Sequence, residues 1–545
     1  MQERGVVSGL VATSTNDQAR LVRALMSPAL YGDWCASVRV LETHISYVLL
    51  TGRYAFKIKK AVNLGFLDFT TLAARRFYCE RELHLNRRLA PALYVDVVAI
   101  TGTAESPEIG GNGPALEYAV QMLEFPQDAL LTCVLKRGEL TVDHVDALAA
   151  TVAMFHQSHT AAASDSRIGS ADQILELAEE NFTEIARQLE AEADHREIGD
   201  VRRWTRCEFA ARAPVFAARH RGGFVRECHG DLHLGNIALV EGAATVFDCI
   251  EFNDAMRWSD VMADVAFLVM DLQDRGRPDY AARFLNRYLE LTGDYDGLQV
   301  LRFYVVYRAV VRAKIACMRA SQTDASDARE AHMAEYRDYL NLAKRYSEST
   351  TRGIVITRGP TGSGKTTLTQ GLVDLLGAVR IRTDVERKRL HGLTPLARSG
   401  SALNAGLYAT KETARTYSTI ARLTGTVASA GYPVVVDGTF LQRRQREQFR
   451  AVAADATVPF VIVEFVAPQE MLRRRVCERH EGGLDASEAD VRVLKHQLEH
   501  AEALSSDERF LTVTYDASAP LERSRRPESW QMVVDTLRQA YAGGR

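Results

Sequence analysis

Two stretches of the chain carry residue types and spacings suited to handling a phosphoryl group. In the first, His229-Gly230-Asp231 is followed by Asn236 at the spacing H-G-D-x-x-x-x-N, and Asp248 closes an apolar run, Ala244-Thr245-Val246-Phe247. Moving a γ-phosphoryl group asks little covalent work of a protein: the acceptor hydroxyl must lie in line and the developing charge must be neutralised. A carboxylate at Asp231 can accept the hydroxyl proton. Asn236 and Asp248, on short strands flanking a Glu241-Gly242 turn, can offer hard oxygen ligands to Mg2+. The second stretch is Gly359-Pro360-Thr361-Gly362-Ser363-Gly364-Lys365-Thr366-Thr367, a G-x-x-x-x-G-K-[ST] loop between a buried-strand pattern at Ile354–Thr357 and a helical run to Leu376. Its glycines let backbone N–H groups close around a β-phosphate at a helix N-terminus. Lys365 would reach the β- and γ-phosphates and the Thr366 hydroxyl would reach Mg2+.

The first motif resembles the aminoglycoside phosphotransferase branch of the protein-kinase-like fold, which also takes in choline and fructosamine kinases, and the resemblance covers most of Tyr31 to Lys344. It implies further roles. Ala55-Phe56-Lys57 stands where such folds carry the A-x-K of their third strand, so Lys57 is assigned to the α- and β-phosphates of ATP, with Lys59 on the same strand face as the alternative. In Cys79-Glu80-Arg81-Glu82-Leu83, Glu82 takes the part of the acidic partner that holds this lysine, with Glu80 elsewhere on the helical wheel. Met122 to Pro126 becomes the hinge that reads adenine. An aspartate of the D-x-x-x-D-x-A helix start at Asp260 braces the catalytic loop, although Asp260 would serve equally as an N-cap. No G-x-G-x-x-G precedes the strand pair; Ser46 and the backbone of Leu41 to Ser46 stand in its place.

Around the glycine loop, Asp384-x-x-Arg387 resembles polynucleotide-kinase and gluconate-kinase-like P-loop enzymes. That likeness makes Asp384 the base for the acceptor and Arg387 a substrate or phosphate contact. Asp437 ends a third strand in the manner of a Walker B aspartate, for the Mg2+ water shell or the substrate. Arg475 and Arg479, at i and i+4, match an R-x-x-x-R lid that would clamp phosphates, against the alternative of a solvated basic helix. The motif order resembles bacterial fusions of an aminoglycoside-phosphotransferase-like domain with a P-loop, AAA-type kinase-like domain. This implies residues 1–346 as a two-lobed protein-kinase-like domain and residues 353–545 as a P-loop domain with a parallel sheet flanked by helices, thus α/β and α+β in class. The activity implied is a bifunctional ATP- and Mg2+-dependent phosphotransferase acting on small hydroxylated molecules. Two rivals remain: nucleic-acid 5′-end phosphorylation by the second domain, and a second domain that only senses nucleotide and regulates the first.

The elements that must position these residues fit a chain of 545 residues with 46% hydrophobic and 25% charged content, long enough for two to four domains. A net charge of −3 gives no whole-surface reason to expect nucleic acid or an anionic membrane as partner. The N-terminus shows no sustained apolar segment, and no run of about 18 apolar residues occurs; a cytoplasmic protein is expected. Eight scattered cysteines without a C-x-x-C pair point to reduced, packed thiols, including Cys228 and Cys249 beside the first motif. The pattern fixes no oligomeric state. Strands are expected at Val48–Leu50, Arg53–Lys59, Tyr94–Ile100, Leu116–Met122, Val461–Val466 and Phe510–Tyr515. Helices are expected at Thr70–Ala90 with Thr71 as cap, Leu148–His159, Asp172–Ala191, Val201–Ala218, Tyr304–Ala320, Ala328–Tyr346 and Asp485–Leu504. Pro214 should kink or break its helix, and Ser347–Arg352 reads as a polar linker.

Overall fold

The computed structural model describes residues 15–65, 67–323, 325–348, 352–401, 405–482 and 486–542. The chain divides into two compact units. One takes the stretch ending at His144 with Ser158–Gly169 and His220–Asp264; the other takes Val145–Gln157, Ser170–Arg219 and everything from Val265 onward.

The first unit holds a six-stranded antiparallel sheet: β1 (Arg39–Glu42), β2 (Ser46–Leu50), β3 (Tyr54–Lys59), β4 (Tyr94–Gly102), β5 (Pro107–Ile109) and β6 (Glu117–Leu123), in the order β1-β2-β3-β6-β4-β5. β3 is thus an interior strand, with Lys57 opposite Val48 on one side and Val120 on the other. A lysine on an edge strand would sit in solvent; here both Lys57 and Lys59 are buried. Strand β5 is an addition to expectation, formed inside the glycine-rich loop after β4. Helix α1 (Leu72–Asn86) is capped by Thr71, whose hydroxyl accepts from Ala74 N. It stops four residues before the expected Ala90: Arg88 N and Leu89 N bond only three residues back, to Leu85 O and Asn86 O, so the last turn tightens out of the α-helix before Pro91. Arg75, Cys79, Glu82, Leu85 and Asn86 form its buried face. Arg75, wholly enclosed, donates through Nε to both oxygens of Glu117 at 2.9 Å and through Nη1 to Phe69 O and Thr70 O at 2.8 and 3.0 Å. Gln18 joins this cluster, donating to Glu117 Oε2 and Lys59 O at 2.8 Å. The catalytic motif lies between β7 (Val225–Glu227), β8 (Ile237–Val240), β9 (Ala243–Val246) and β10 (Trp258–Asp260). Glu241 and Gly242 both have positive φ, 51° and 80°, the handedness a two-residue hairpin turn requires.

The second unit combines long helices with the P-loop sheet. Helix α2 (Glu192–Arg221) runs through Pro214 without the break that is one of the two outcomes expected there. An interior proline costs a helix about 3 kcal/mol. Packing two residues on offsets it: Phe216 lies 5.3 Å from Phe209, 5.1 Å from Phe303 and 5.7 Å from Tyr304. Helices α3 (Pro278–Thr292), Leu298–Ser321 and Ser326–Ser347 follow. Strands β11 (Ile354–Arg358), β12 (Val379–Arg382), β13 (Val434–Asp437), β14 (Phe460–Val466) and β15 (Thr512–Asp516) make an all-parallel sheet in the order β12-β13-β11-β14-β15. Near-continuous Val and Ile in β11, β13 and β14 fit a sheet covered on both faces. Helix α4 (Thr383–Arg389) follows β12 directly, and α5 (Gln469–Gly482) follows β14. The helix expected over Asp485–Leu504 occupies only Val491–Glu499, opened by Asp490 as cap; Asp485 lies outside the described residues, as do Ser349 to Thr351 of the expected linker. No helix among the described residues is long and apolar enough to cross a membrane.

Breaking the Arg75–Glu117 pair from one side would strand a buried carboxylate, which costs roughly 3–5 kcal/mol. Arg75→Met should therefore lower the melting transition of the sheet containing β1 to β6, read by hydrogen exchange at Val120 and Ile58, while protection of Val435 and Ile462 stays unchanged.

Candidate functional sites

In the first unit α1 and β3 meet through paired charges. Glu82 is completely buried and bridges two lysines: Lys57 Nζ donates to Oε1 at 2.9 Å and Lys59 Nζ to Oε2 at 2.7 Å. Lys57 also pairs with Asp248, and Lys59 with Glu251, three residues further on. Burial alone would raise the Glu82 pKa, but the two ammonium groups outweigh it and hold the carboxyl at about 2. For Lys57 the balance is reversed in sign. Burial works against the charge, and the carboxylates of Asp248, Glu82 and Glu251 hold its pKa well above the ordinary lysine value. Glu80 points to the exposed face and pairs with Arg76.

The loop bearing Asp231 is tied from several directions. Asn236 Nδ2 donates to Asp231 Oδ2 at 2.8 Å and to its carbonyl at 3.0 Å, and His233 Nε2 stands 3.3 Å from the same Oδ2. Asp264 receives the backbone N–H groups of His229 and Gly230 at 2.7 and 2.9 Å. Asp260 instead accepts from Met262 N at 2.9 Å, as a cap does. Of the two aspartates in D-x-x-x-D, the second takes the backbone N–H groups of the loop. Buried His229, its pKa lowered by that burial, has Nε2 2.9 Å from Phe247 O, linking loop to hairpin. Asp248 adopts φ 63°, with its N–H donating to Tyr94 OH at 3.2 Å, and the next residue, Cys249, donates N–H to Asn86 Oδ1 of α1 at 2.8 Å. Ser46, expected over the phosphates, is buried with its hydroxyl 2.8 Å from Thr43 Oγ1. Cys228 and Cys249 are packed thiols, and none of the eight cysteines is in a disulfide.

In the second unit the glycine loop faces a cavity of about 610 Å3. Gly364 (φ 79°) opens the helix carrying Lys365 to Leu368, and a Cβ on Gly362 (φ 80°) would come within 2.6 Å of Leu472 O. Lys365 Nζ donates to Gly359 O at 2.9 Å, Pro360 O at 2.8 Å and Ser363 Oγ at 3.2 Å. Burial pulls its pKa down to about 8, only partly opposed by Asp437 and Asp384. The Thr366 hydroxyl donates to Asp437 Oδ2 at 2.6 Å, so two oxygens of the hard type that divalent cations take meet at the cavity wall. Thr361, Thr367, Asp384, Arg387, Arg475 and Arg479 line the same cavity. Arg479 donates to Thr361 Oγ1 at 2.9 Å and Ala489 O at 2.8 Å. Arg475 donates to Ala517 O at 3.0 Å through one terminal nitrogen, and the other has no hydrogen-bond partner among the described residues. Arg387 is buried over the Tyr408 ring, its Nη1 on Leu407 O and Thr413 Oγ1, each at 3.2 Å. Sequence reasoning did not reach Gln497, which accepts from Thr361 N at 2.7 Å and holds the loop from the far helix; nor did it reach Glu251 or the pairing role of Lys59.

Fold and sites together define an enzyme of the kinase class. Residues 68–304 match the phosphotransferase enzyme family, and residues 354–504 match an AAA domain. Uncharacterized proteins of Mycobacterium tuberculosis and Mycobacterium bovis are 32% identical over 454 residues, covering 83% of this chain and 88% of each of theirs. The chain belongs to the family of these mycobacterial proteins. Among solved structures, a gluconokinase from Sinorhizobium meliloti shares 21% identity over 36% of this chain and 99% of its own, with a TM-score of 0.27. A choline kinase from Cryptosporidium parvum shares 11% over 61% and 96%, with a TM-score of 0.37. Likenesses at that level carry no weight for function.

The lowered Lys365 pKa carries a sign. A lysine titrating near 8 when folded and near 10.5 when unfolded destabilises the fold at pH 8 and below, and that cost fades as pH rises from about 8 toward 10.5. With its three oxygen acceptors offsetting part of the desolvation, Lys365→Met should stabilise the nucleotide-free P-loop sheet by about 1–3 kcal/mol at pH 7. Denaturant titrations at pH 7 and pH 10 should show the gain shrinking, and added ATP should no longer stabilise this sheet.

Proposed function

We propose that the protein is a bifunctional kinase, in which each site moves the γ-phosphoryl group of ATP to a hydroxyl of a small molecule. What supports the reading most is that the cavity of the second unit brings Lys365, Thr366, Asp437, the two guanidinium groups of α5 and the Asp384 carboxylate onto one wall-bounded space. The first unit supports it in parallel, with Lys57 held between Glu82 and Asp248, and Asn236 hydrogen-bonded to Asp231.

In the first site Lys57 binds the α- and β-phosphates, steadied by Glu82. Asp231 orients the acceptor hydroxyl and takes its proton as the new O–P bond forms and the bond from the γ-phosphorus to the departing ADP breaks, and Asn236 and Asp248 would supply oxygens to Mg2+. In the second, the backbone of Gly359 to Thr367 and Lys365 hold the β- and γ-phosphates, and Asp384 takes the acceptor proton. Arg475 and Arg479 stabilise charge on the transferred group, and Thr366 with Asp437 holds the metal. Arg387 shapes the acceptor side beside Tyr408. Mg2+, when bound, neutralises phosphate charge; positioning and proton handling belong to the side chains.

Loss of a positioned general base removes about 10²–10⁴-fold in rate. Asp231→Asn and Asp384→Ala should each abolish a different set of phosphorylated products by about that factor, in a metabolite pool incubated with γ-labelled ATP and the full chain. Binding of Mg2+-ATP should change less than about threefold in either variant. Undiminished labelling of every product in Asp231→Asn would remove the first assignment, and in Asp384→Ala the second.

A further inference from the structure

Helix α3 and the turn Tyr295–Gly297 fall inside the stretch matching the phosphotransferase family, yet Asn286, Glu290 and Tyr295 of this stretch meet residues of the P-loop sheet and of α4. β12 is an edge strand, and Asn286 of α3 completes that edge as a neighbouring strand would: Oδ1 accepts from Arg380 N at 2.6 Å and Nδ2 donates to Ala378 O at 2.9 Å. Arg389 of α4 donates to Glu290 O at 2.6 Å, and Tyr295 OH donates to Glu386 Oε1 at 3.2 Å. The helix that carries Asp384 is thereby held at Glu386 and at its last residue, Arg389.

The Glu290 side chain lies deeper. It is 4% exposed, and its Oε1 has no hydrogen-bond partner among the described residues, although Arg380 Nη2 and Arg382 Nη1 both stand 3.9 Å away. Arg287 faces its other oxygen at 3.6 Å. Arg382 looks the other way as well, with Nε 4.0 Å from Asp437 Oδ2, the oxygen that accepts the Thr366 hydroxyl. Arg380 Nη1 donates to Thr366 O at 3.1 Å. One guanidinium thus lies between a carboxylate that belongs to the site and one that comes from α3.

We propose that Glu290 is a positioning residue of the P-loop site, supplied by the phosphotransferase-family stretch. It shares Arg382 with Asp437 and so keeps the Asp437 carboxylate available beside Thr366. The proposal rests on reading Thr366 and Asp437 as the metal-holding oxygens. Take away the Glu290 charge, and Arg382 closes on Asp437 and competes with the cation.

The test is the Mg2+ concentration for half-maximal binding of a fluorescent ATP analogue, measured on the full chain in a Lys57→Met background that silences the first site. Glu290→Gln should raise that midpoint about 5- to 10-fold, the scale of one partly buried charge contact, and leave binding in EDTA unchanged. Arg382→Gln should lower it, and in the Arg382→Gln background Glu290→Gln should shift it by less than about twofold. A merely structural role for Glu290 predicts the same loss in both backgrounds and in EDTA, and that result overturns the proposal. So does an unchanged midpoint in Glu290→Gln. Should Glu290→Gln fail to fold, Arg382→Gln alone decides: a raised midpoint contradicts competition with Asp437. Analogue binding by the parent that ignores Mg2+ altogether would instead sink the metal reading of Thr366 and Asp437, and the proposal with it.

Discussion

In the proposed function, each site depends on keeping a lysine charged where almost no water reaches it. A phosphate-binding ammonium must be bare enough to meet phosphate strongly, and burial penalises the charge that makes it useful. The two units answer this differently. Lys57 is held by full carboxylates, Glu82 and Asp248, which more than repay the burial, so its charge is secure without ligand. Lys365 is held by neutral oxygens of its own loop, Gly359 O, Pro360 O and Ser363 Oγ, and its pKa falls to about 8. Incoming phosphates therefore relieve strain at Lys365, whereas at Lys57 they compete for a lysine already engaged by Asp248.

Much of the remaining structure follows from that requirement. Glu82 can face Lys57 only because α1 presents Arg75, Cys79, Glu82 and Asn86 inward, with Arg75 anchoring the helix to Glu117. The second lysine, Lys59, takes the other oxygen of Glu82 and is itself neutralised by Glu251. α1, β3 and the segment from Asp248 to Glu251 are thus joined by one continuous chain of charges. In the P-loop unit the corresponding frame is the sheet edge: β12 leads straight into α4, and its exposed edge is closed by Asn286.

What the sequence revealed and what it hid divide along contact range. Asp231, Asn236 and Asp248 lie within one hairpin, and Gly359 to Thr367 within one loop, so fixed local spacing betrays them. Asp264 was within reach, four residues after Asp260, but spacing could not say which aspartate takes the two N–H groups of His229 and Gly230. Glu251 and Lys59 carry no local signature, because their pairing joins residues 192 positions apart. The continuation of α2 through Pro214 was hidden for the same reason: an aromatic cluster including Phe303 decides it, against the local preference. The early end of α1 and the short helix at Val491–Glu499 show the usual limits of reading boundaries from apolar periodicity.

The claim of two complete nucleotide sites in one chain is tested most directly by counting. Calorimetric titration of the full chain with a non-hydrolysable ATP analogue and Mg2+ should give two equivalents bound, and Lys57→Met should remove one while leaving the other at its original affinity. A single equivalent in the parent chain, or loss of all binding on changing Lys57 alone, would contradict the account.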